Sequence, residues 1–116
     1  MGESYKDLLV WQRAIQMTLA IYRLTDGFPK DERFGLTSQL RRAGVSVASN
    51  IAEGYARNST REYKQFLGMA RGSNSEVQTQ FVIARELGFG SPQSLDIAEG
   101  LSNEVGKMMA AILRNL

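Results

Sequence analysis

Residues 36–54 read LTSQLRRAGVSVASNIAEG. Their apolar positions Leu36, Leu40, Ala43, Val47 and Ile51 recur every three or four residues and continue to Gly54. That period belongs to an α-helix with one buried face, since a half-buried strand would alternate every second residue. At about 100° per residue, Val45, Ala48, Ala52 and Ala56 fall on roughly the opposite side. A polar ladder of Gln39, Arg42, Ser46, Asn50, Glu53 and Arg57 runs between the two faces. A bundle helix that meets water carries charge opposite its core, and this one carries small apolar groups. One reading is that alanine simply favours helix anywhere. The other is that a second helix packs closely on that back, and Val45 favours it because a β-branched residue has no propensity reason to be there.

On either side of this helix, three clusters break the apolar period: Asp26-Gly27-Phe28-Pro29-Lys30, Arg57-Asn58-Ser59-Thr60 and Gly88-Phe89-Gly90-Ser91-Pro92. Both prolines of the chain, Pro29 and Pro92, lie in them. Three turns between four long segments predict an all-α fold, an antiparallel up-down four-helix bundle. In the first segment Leu8, Trp11, Ile15, Thr18, Tyr22 and Thr25 form one face with Leu19 beside it, while Arg13, Gln16 and Arg23 turn away. The third segment opens on a capping box, Ser59 with Glu62. Its seam then runs Tyr63, Leu67, Ala70, Asn74, Val77, Phe81, Ala84. Gly72-Ser73-Asn74-Ser75-Glu76 resembles a turn, but a turn would reset the phase and the phase continues, so one long helix is predicted. The fourth segment takes Ser91 as N-cap and Pro92 as its first residue, with Leu101, Val105, Met108, Ile112 and Leu116 as its face. Gly68 and Gly72 lie away from the third seam. Each costs about 1 kcal/mol relative to alanine, which close approach by a neighbour would offset, although a long helix can also simply tolerate them.

The chain has 116 residues, enough for one domain over residues 1–116. Its 14 basic and 12 acidic residues leave a net charge of +2, which permits nucleic-acid contact without requiring it. It contains neither cysteine nor histidine. Disulfides, thiolate nucleophiles and zinc–thiolate sites are thereby excluded, as are the commonest general base and transition-metal ligand. Bundle di-metal sites combine inward carboxylates with Glu-x-x-His, which this chain cannot supply. No base stands beside Ser46, Ser49 or Ser73, and no strand precedes Gly88-Phe89-Gly90 as a phosphate loop requires. The expectation is a protein with no catalytic residue, metal or cofactor. The start of the chain lacks the basic-then-apolar order of a signal peptide, and no apolar run reaches the roughly 18 residues of a membrane span. The predicted location is the cytoplasm, without membrane contact.

Two sets of residues remain as candidates. Gln39, Ser46, Asn50 and Glu53, with Glu76 from the third segment, read as a hydrogen-bond network fixing helix register. The back-face residues Val45, Ala48, Ala52, Gly68 and Gly72 join them as a subunit contact, making the protein its own partner. Arg41, Arg42, Arg57, Arg61, Lys64 and Arg71 read as a basic surface for nucleic acid, with Tyr55 and Tyr63 close enough to stack on bases. A ring of identical subunits would multiply that charge. The same arginines suit a plain solvated surface on a structural or protein-interaction ring.

The stretch Phe34-Gly35-Leu36-Thr37-Ser38-Gln39-Leu40-Arg41-Arg42-Ala43, followed by Ser46-Val47-Ala48-Ser49-Asn50-Ile51-Ala52-Glu53-Gly54, resembles the signature of a bacterial family. This is the four-helix-bundle family of proteins encoded in intervening sequences of large-subunit ribosomal RNA genes, to which the accessory protein of diversity-generating retroelements is similar. Leu9-Val10-Trp11, Phe28-Pro29, Gly72-Ser73 and Glu76 extend the likeness over most of the chain. The resemblance implies a helical bundle assembling as a homopentameric barrel without an established enzyme activity. Through the retroelement relatives it also implies nucleic acid and a reverse transcriptase as partners.

Overall fold

Four helices account for about three-quarters of the chain: α1 (Leu9–Asp26), α2 (Leu36–Tyr55), α3 (Thr60–Leu87) and α4 (Pro92–Arg114). The computed structural model describes residues 4–116, and no strand occurs among them. Short 3-10 turns at Tyr5–Asp7 and Lys30–Glu32 precede α1 and α2. Local chemistry sets the helix ends. Ser59 accepts from the Glu62 amide at 3.1 Å, the first half of the capping box, and its hydroxyl donates to the Glu62 carboxylate at 3.3 Å. Ser91 caps α4 by accepting from the Ser94 amide. Gly35 has no side chain to cap α2, so the Glu32 carboxylate accepts from the Leu36 amide at 2.9 Å instead. Helix α3 ends where Gly88 turns to φ 72°, which lets the Phe89 amide donate back to the Ala84 carbonyl. Phe89 then packs on Phe28, with ring centroids 5.6 Å apart.

Helix α3 runs unbroken for 28 residues through Gly72–Glu76. At 1.5 Å per residue that is about 42 Å, matching the 43 Å long dimension of the molecule. Ser73 does not cap a second helix there, because it is buried and hydrogen-bonded to Ser46 at 2.9 Å. Every residue of the predicted α3 seam from Leu67 to Ala84 is buried.

Each helix touches two others: α1 packs on α2 and α4, and α3 on α2 and α4. The α2–α3 contact is the most extensive. Helix α2 therefore buries two flanks, one carrying Leu40, Val47 and Ile51, the other Gly44 and Ala48. This revises the reading of its apolar back. Ala48 belongs to the core, Ala52 is half-buried, and Val45, at 44% exposure, and Ala56 face outward. The neighbour that the small residues admit is α1 of the same chain. Thr18 donates to the Gly44 carbonyl at 3.1 Å.

Helix α1 is rotated from its predicted phase. Its core residues are Val10, Ala14, Met17, Ile21 and Leu24, whereas Trp11, Ile15 and Thr18 are half-buried and Leu19 and Tyr22 exposed. Apolar residues cover so much of α1 that spacing supports two faces, and the one with small Ala14 and Ala20 comes closest to its neighbours. Helix α4 likewise buries Leu95, Ala98, Ser102, Val105 and Met109. Leu101, Met108 and Ile112 flank that seam, and Leu116 is exposed.

Gly54 sets the closest approach of α2 to α3. A Cβ there would lie 2.7 Å from the Phe66 Cβ and 3.2 Å from the Tyr63 ring. Overpacking of this kind costs about 1–3 kcal/mol, against about 1 kcal/mol gained in helix propensity. Gly54→Ala is expected to lower stability by roughly 1–2 kcal/mol in urea denaturation. An unchanged or raised midpoint would mean that the two helices are not held at this distance.

Candidate nucleic-acid interface

Arg61, Lys64, Gly68, Arg71, Gly72 and Ser75 follow one another at helical spacing on the outer side of α3, and all six are exposed. At 100° per residue they occupy a sector of about 100°, and Arg61 and Arg71 stand about 15 Å apart along the axis. None of the three cations enters an ion pair among the described residues. A Cβ added at Gly68 or Gly72 would meet nothing within 4 Å. The stripe therefore presents bare backbone between its charges. Met69 and Glu76, both exposed, flank it.

The other predicted cations differ among themselves. Arg57 is held by Glu53 at 2.8 Å and lies near Glu62 at 3.8 Å, with its guanidinium 4.8 Å from the Phe66 ring centroid. Arg41 donates to Thr25 at 2.8 Å and Asp26 at 3.1 Å and stacks over Tyr22. Both tie neighbouring elements together. Arg42 is exposed and makes no ion pair among the described residues. Tyr55 and Tyr63 pack edge to face, 5.9 Å between centroids, and both are half-buried at the α2–α3 end. Burial, and secondarily Tyr55, raises the Tyr63 phenol above its ordinary value.

The polar ladder of α2 meets α3 within the chain. Gln80 donates to Gln39 at 3.4 Å, Ser46 pairs with Ser73, and Asn50 donates to both the backbone carbonyl and the hydroxyl of Ser46. Glu53 stands apart as an exposed i,i+4 partner of Arg57, an arrangement worth about 0.3–0.5 kcal/mol. Glu76 lines a recess of about 360 Å³ with Gln39, Arg42 and Gln80. Gln80 is buried, and its Oε1 has no hydrogen-bond partner.

Two further surface features involve α2. Val45, Ser49 and Ala52 face Trp11, Ile15 and Thr18 of α1 across an apolar groove of about 270 Å³. Toward the start of α2, a pocket of about 620 Å³ is lined by Tyr22, Arg33, Phe34, Thr37, Arg41 and Arg42 among others. Arg33 lies 5.2 Å from the Phe34 ring centroid, and Phe34 is 87% exposed. Phe34 opens the stretch that carries the family resemblance, but neither residue stands out by periodicity, because both precede the periodic run. The available signal is an Arg-Phe pair placed where no core position calls for phenylalanine.

Among the described residues no three acidic side chains come together to hold a metal ion. No helix is long and apolar enough to cross a membrane. Fold and surface together define an all-helical protein whose distinctive chemistry is cationic and aromatic. Residues 6–111 match the model of the 23S rRNA-intervening sequence protein family, and the chain belongs to that family. Among solved structures it is similar to a protein of unknown function from the S23 ribosomal protein family of Bacteroides thetaiotaomicron. The TM-score is 0.80 at 18% identity, over 90% of this chain and 98% of that one. At that identity the likeness carries the fold. No curated protein matches.

Proposed function

We propose that this chain is a non-enzymatic, homo-oligomeric up-down four-helix bundle that binds nucleic acid along the outer face of α3. The observation that carries the reading is the stripe of Arg61, Lys64 and Arg71, three exposed cations without ion-pair partners on one helix face, with glycine backbone bare between them. Cations held in a row neutralise successive phosphates, and missing side chains let a strand lie close. The antiparallel course is supported by pairs whose numbers run in opposite senses: Gly54 near Phe66, Ser46 with Ser73, Gln39 with Gln80. Self-association is assigned to the α1–α2 groove around Trp11, Ile15, Val45 and Ala52. Head-to-tail contacts that close on themselves make a ring, of which the family resemblance implies five members.

Fluorescence anisotropy of a labelled single-stranded oligonucleotide across a salt series tests the binding. Three phosphate contacts per protomer predict that log Kd rises with log salt with a slope of about 2. Salt-independent binding, or none at low salt, would sink the reading. The assembly has its own test. Gly68→Ala with Gly72→Ala should leave the oligomer intact by light scattering and raise stability by up to about 2 kcal/mol. Dissociation on that double change would instead place the subunit contact on the glycine face.

A further inference from the structure

We infer that the pocket at the start of α2 is a nucleotide site, in which a base stacks on Phe34 while Arg33 and Arg42 hold the phosphate. The inference goes beyond the α3 reading and needs neither that stripe nor assembly. An exposed phenylalanine alone carries no message, since single surface hydrophobes are normal. Phe34 differs because it lines a pocket of about 620 Å³ shared with Tyr22, Arg33, Arg41 and Arg42. That volume lies within the roughly 300–1,000 Å³ range of small-molecule sites.

The lining divides by role. Arg41 is committed, bonded to Thr25 and Asp26 and stacked 4.4 Å over Tyr22, so it fixes one wall of the pocket. Arg33 and Arg42 have no ion pair among the described residues, so both guanidinium groups are available to a phosphate, which their planar donors fit. Of the nearby acids, Asp26 is taken up by Arg41 and Glu32 by the Leu36 amide, while Glu76 lines the adjoining recess with Arg42 without forming an ion pair among the described residues. An aromatic ring with a guanidinium beside it is a stacking platform for any base.

The pocket shares two of its lining residues with a second recess. Arg42 and Ser46 also line the adjoining recess where Gln80 Oε1 is buried without a partner. That oxygen has almost no exposed surface, so the base stack, and not a contact to Gln80, separates a nucleotide from a simple anion.

Isothermal titration calorimetry with adenosine monophosphate as the probe tests this on the whole protein, with adenosine, inorganic phosphate and an acidic peptide as competitors. The nucleotide should bind at least tenfold more tightly than inorganic phosphate or adenosine. Phe34→Ala, a change at an exposed position, should weaken it about tenfold or more, in line with the worth of one base–aromatic stack. Arg42→Gln should do likewise, while neutralising Arg61, Lys64 and Arg71 should leave it unchanged. A 5′-phosphorylated tetranucleotide separates the sources of the ligand. Tighter binding than the mononucleotide means a unit of a strand, and equal or weaker binding means a free nucleotide; either supports the site. Equal affinity for inorganic phosphate or the acidic peptide, no binding, or an unaffected Phe34→Ala variant would overturn it.

Discussion

Asn74→Ala should lower the unfolding free energy by about 2–3 kcal/mol, from buried groups left unpaired and the space left empty. Asn74 is 3% exposed and Ser102 fully buried. The Asn74 amide donates to the Ser102 carbonyl at 3.1 Å, and its oxygen accepts from the Ser102 hydroxyl at 2.8 Å. The pair is the buried polar layer of the α3–α4 seam, whose exposed rim carries the Gln78–Asn103 hydrogen bond and the ion pairs of Arg85 with Asp96 and Glu99. It specifies register, because a slip of one turn would set the two side chains against apolar neighbours such as Ala70, Val77, Ala98 or Val105. The Ser102 carbonyl keeps its own helical partner, which is why the expected loss stays below the cost of a fully orphaned amide. Ser102→Ala should cost less, about 1 kcal/mol, since one hydrogen bond goes and little volume. A double-mutant cycle should give a coupling of at least 0.5 kcal/mol. Additive losses would mean that the two residues stabilise the seam independently.

Replacing Arg61, Lys64 and Arg71 together by glutamine should weaken single-strand binding about 100-fold at physiological salt and flatten its salt dependence by a slope of about 2. All three are exposed and outside the core, so the variant should fold with an unchanged melting temperature. The same three changes spread over Lys6, Lys30 and Arg114, exposed but on other elements, should weaken binding far less, because screening confines each charge to about 10 Å. Equal effects from both triples would reduce the stripe to a contribution of net charge. The salt slope then discriminates further. A drop in affinity without a drop in slope would mean that the residues do not touch phosphate.

Much of α3 was legible because one side of that helix is polar. With Arg61, Lys64 and Arg71 on the outside, only one seam could be buried. Helix α1 was ambiguous for the opposite reason. Trp11, Ile15 and Tyr22 are larger than Val10, Ala14 and Met17, so bulk favours one face while close packing buries the other. The six predicted cations show the same divide. Their positions on helices follow from spacing, but the capture of Arg41 by Thr25 and Asp26, 15 to 16 residues away, does not. The pocket around Arg33 and Phe34 was hidden too, since Tyr22 reaches it from a different helix.

The sequence by itself determined that there are four helices, how the third and fourth begin, and that histidine and cysteine chemistry is absent. Caps, prolines and turn glycines act on their immediate neighbours, so their effect is written in adjacent letters. The tertiary structure decided which flank of α1 is buried, that the apolar back of α2 is partly covered by α1, and which arginines remain available. Those outcomes depend on how closely two surfaces can approach. Small residues such as Gly44, Ala48 and Gly54 set that distance only when the helix facing them is in place.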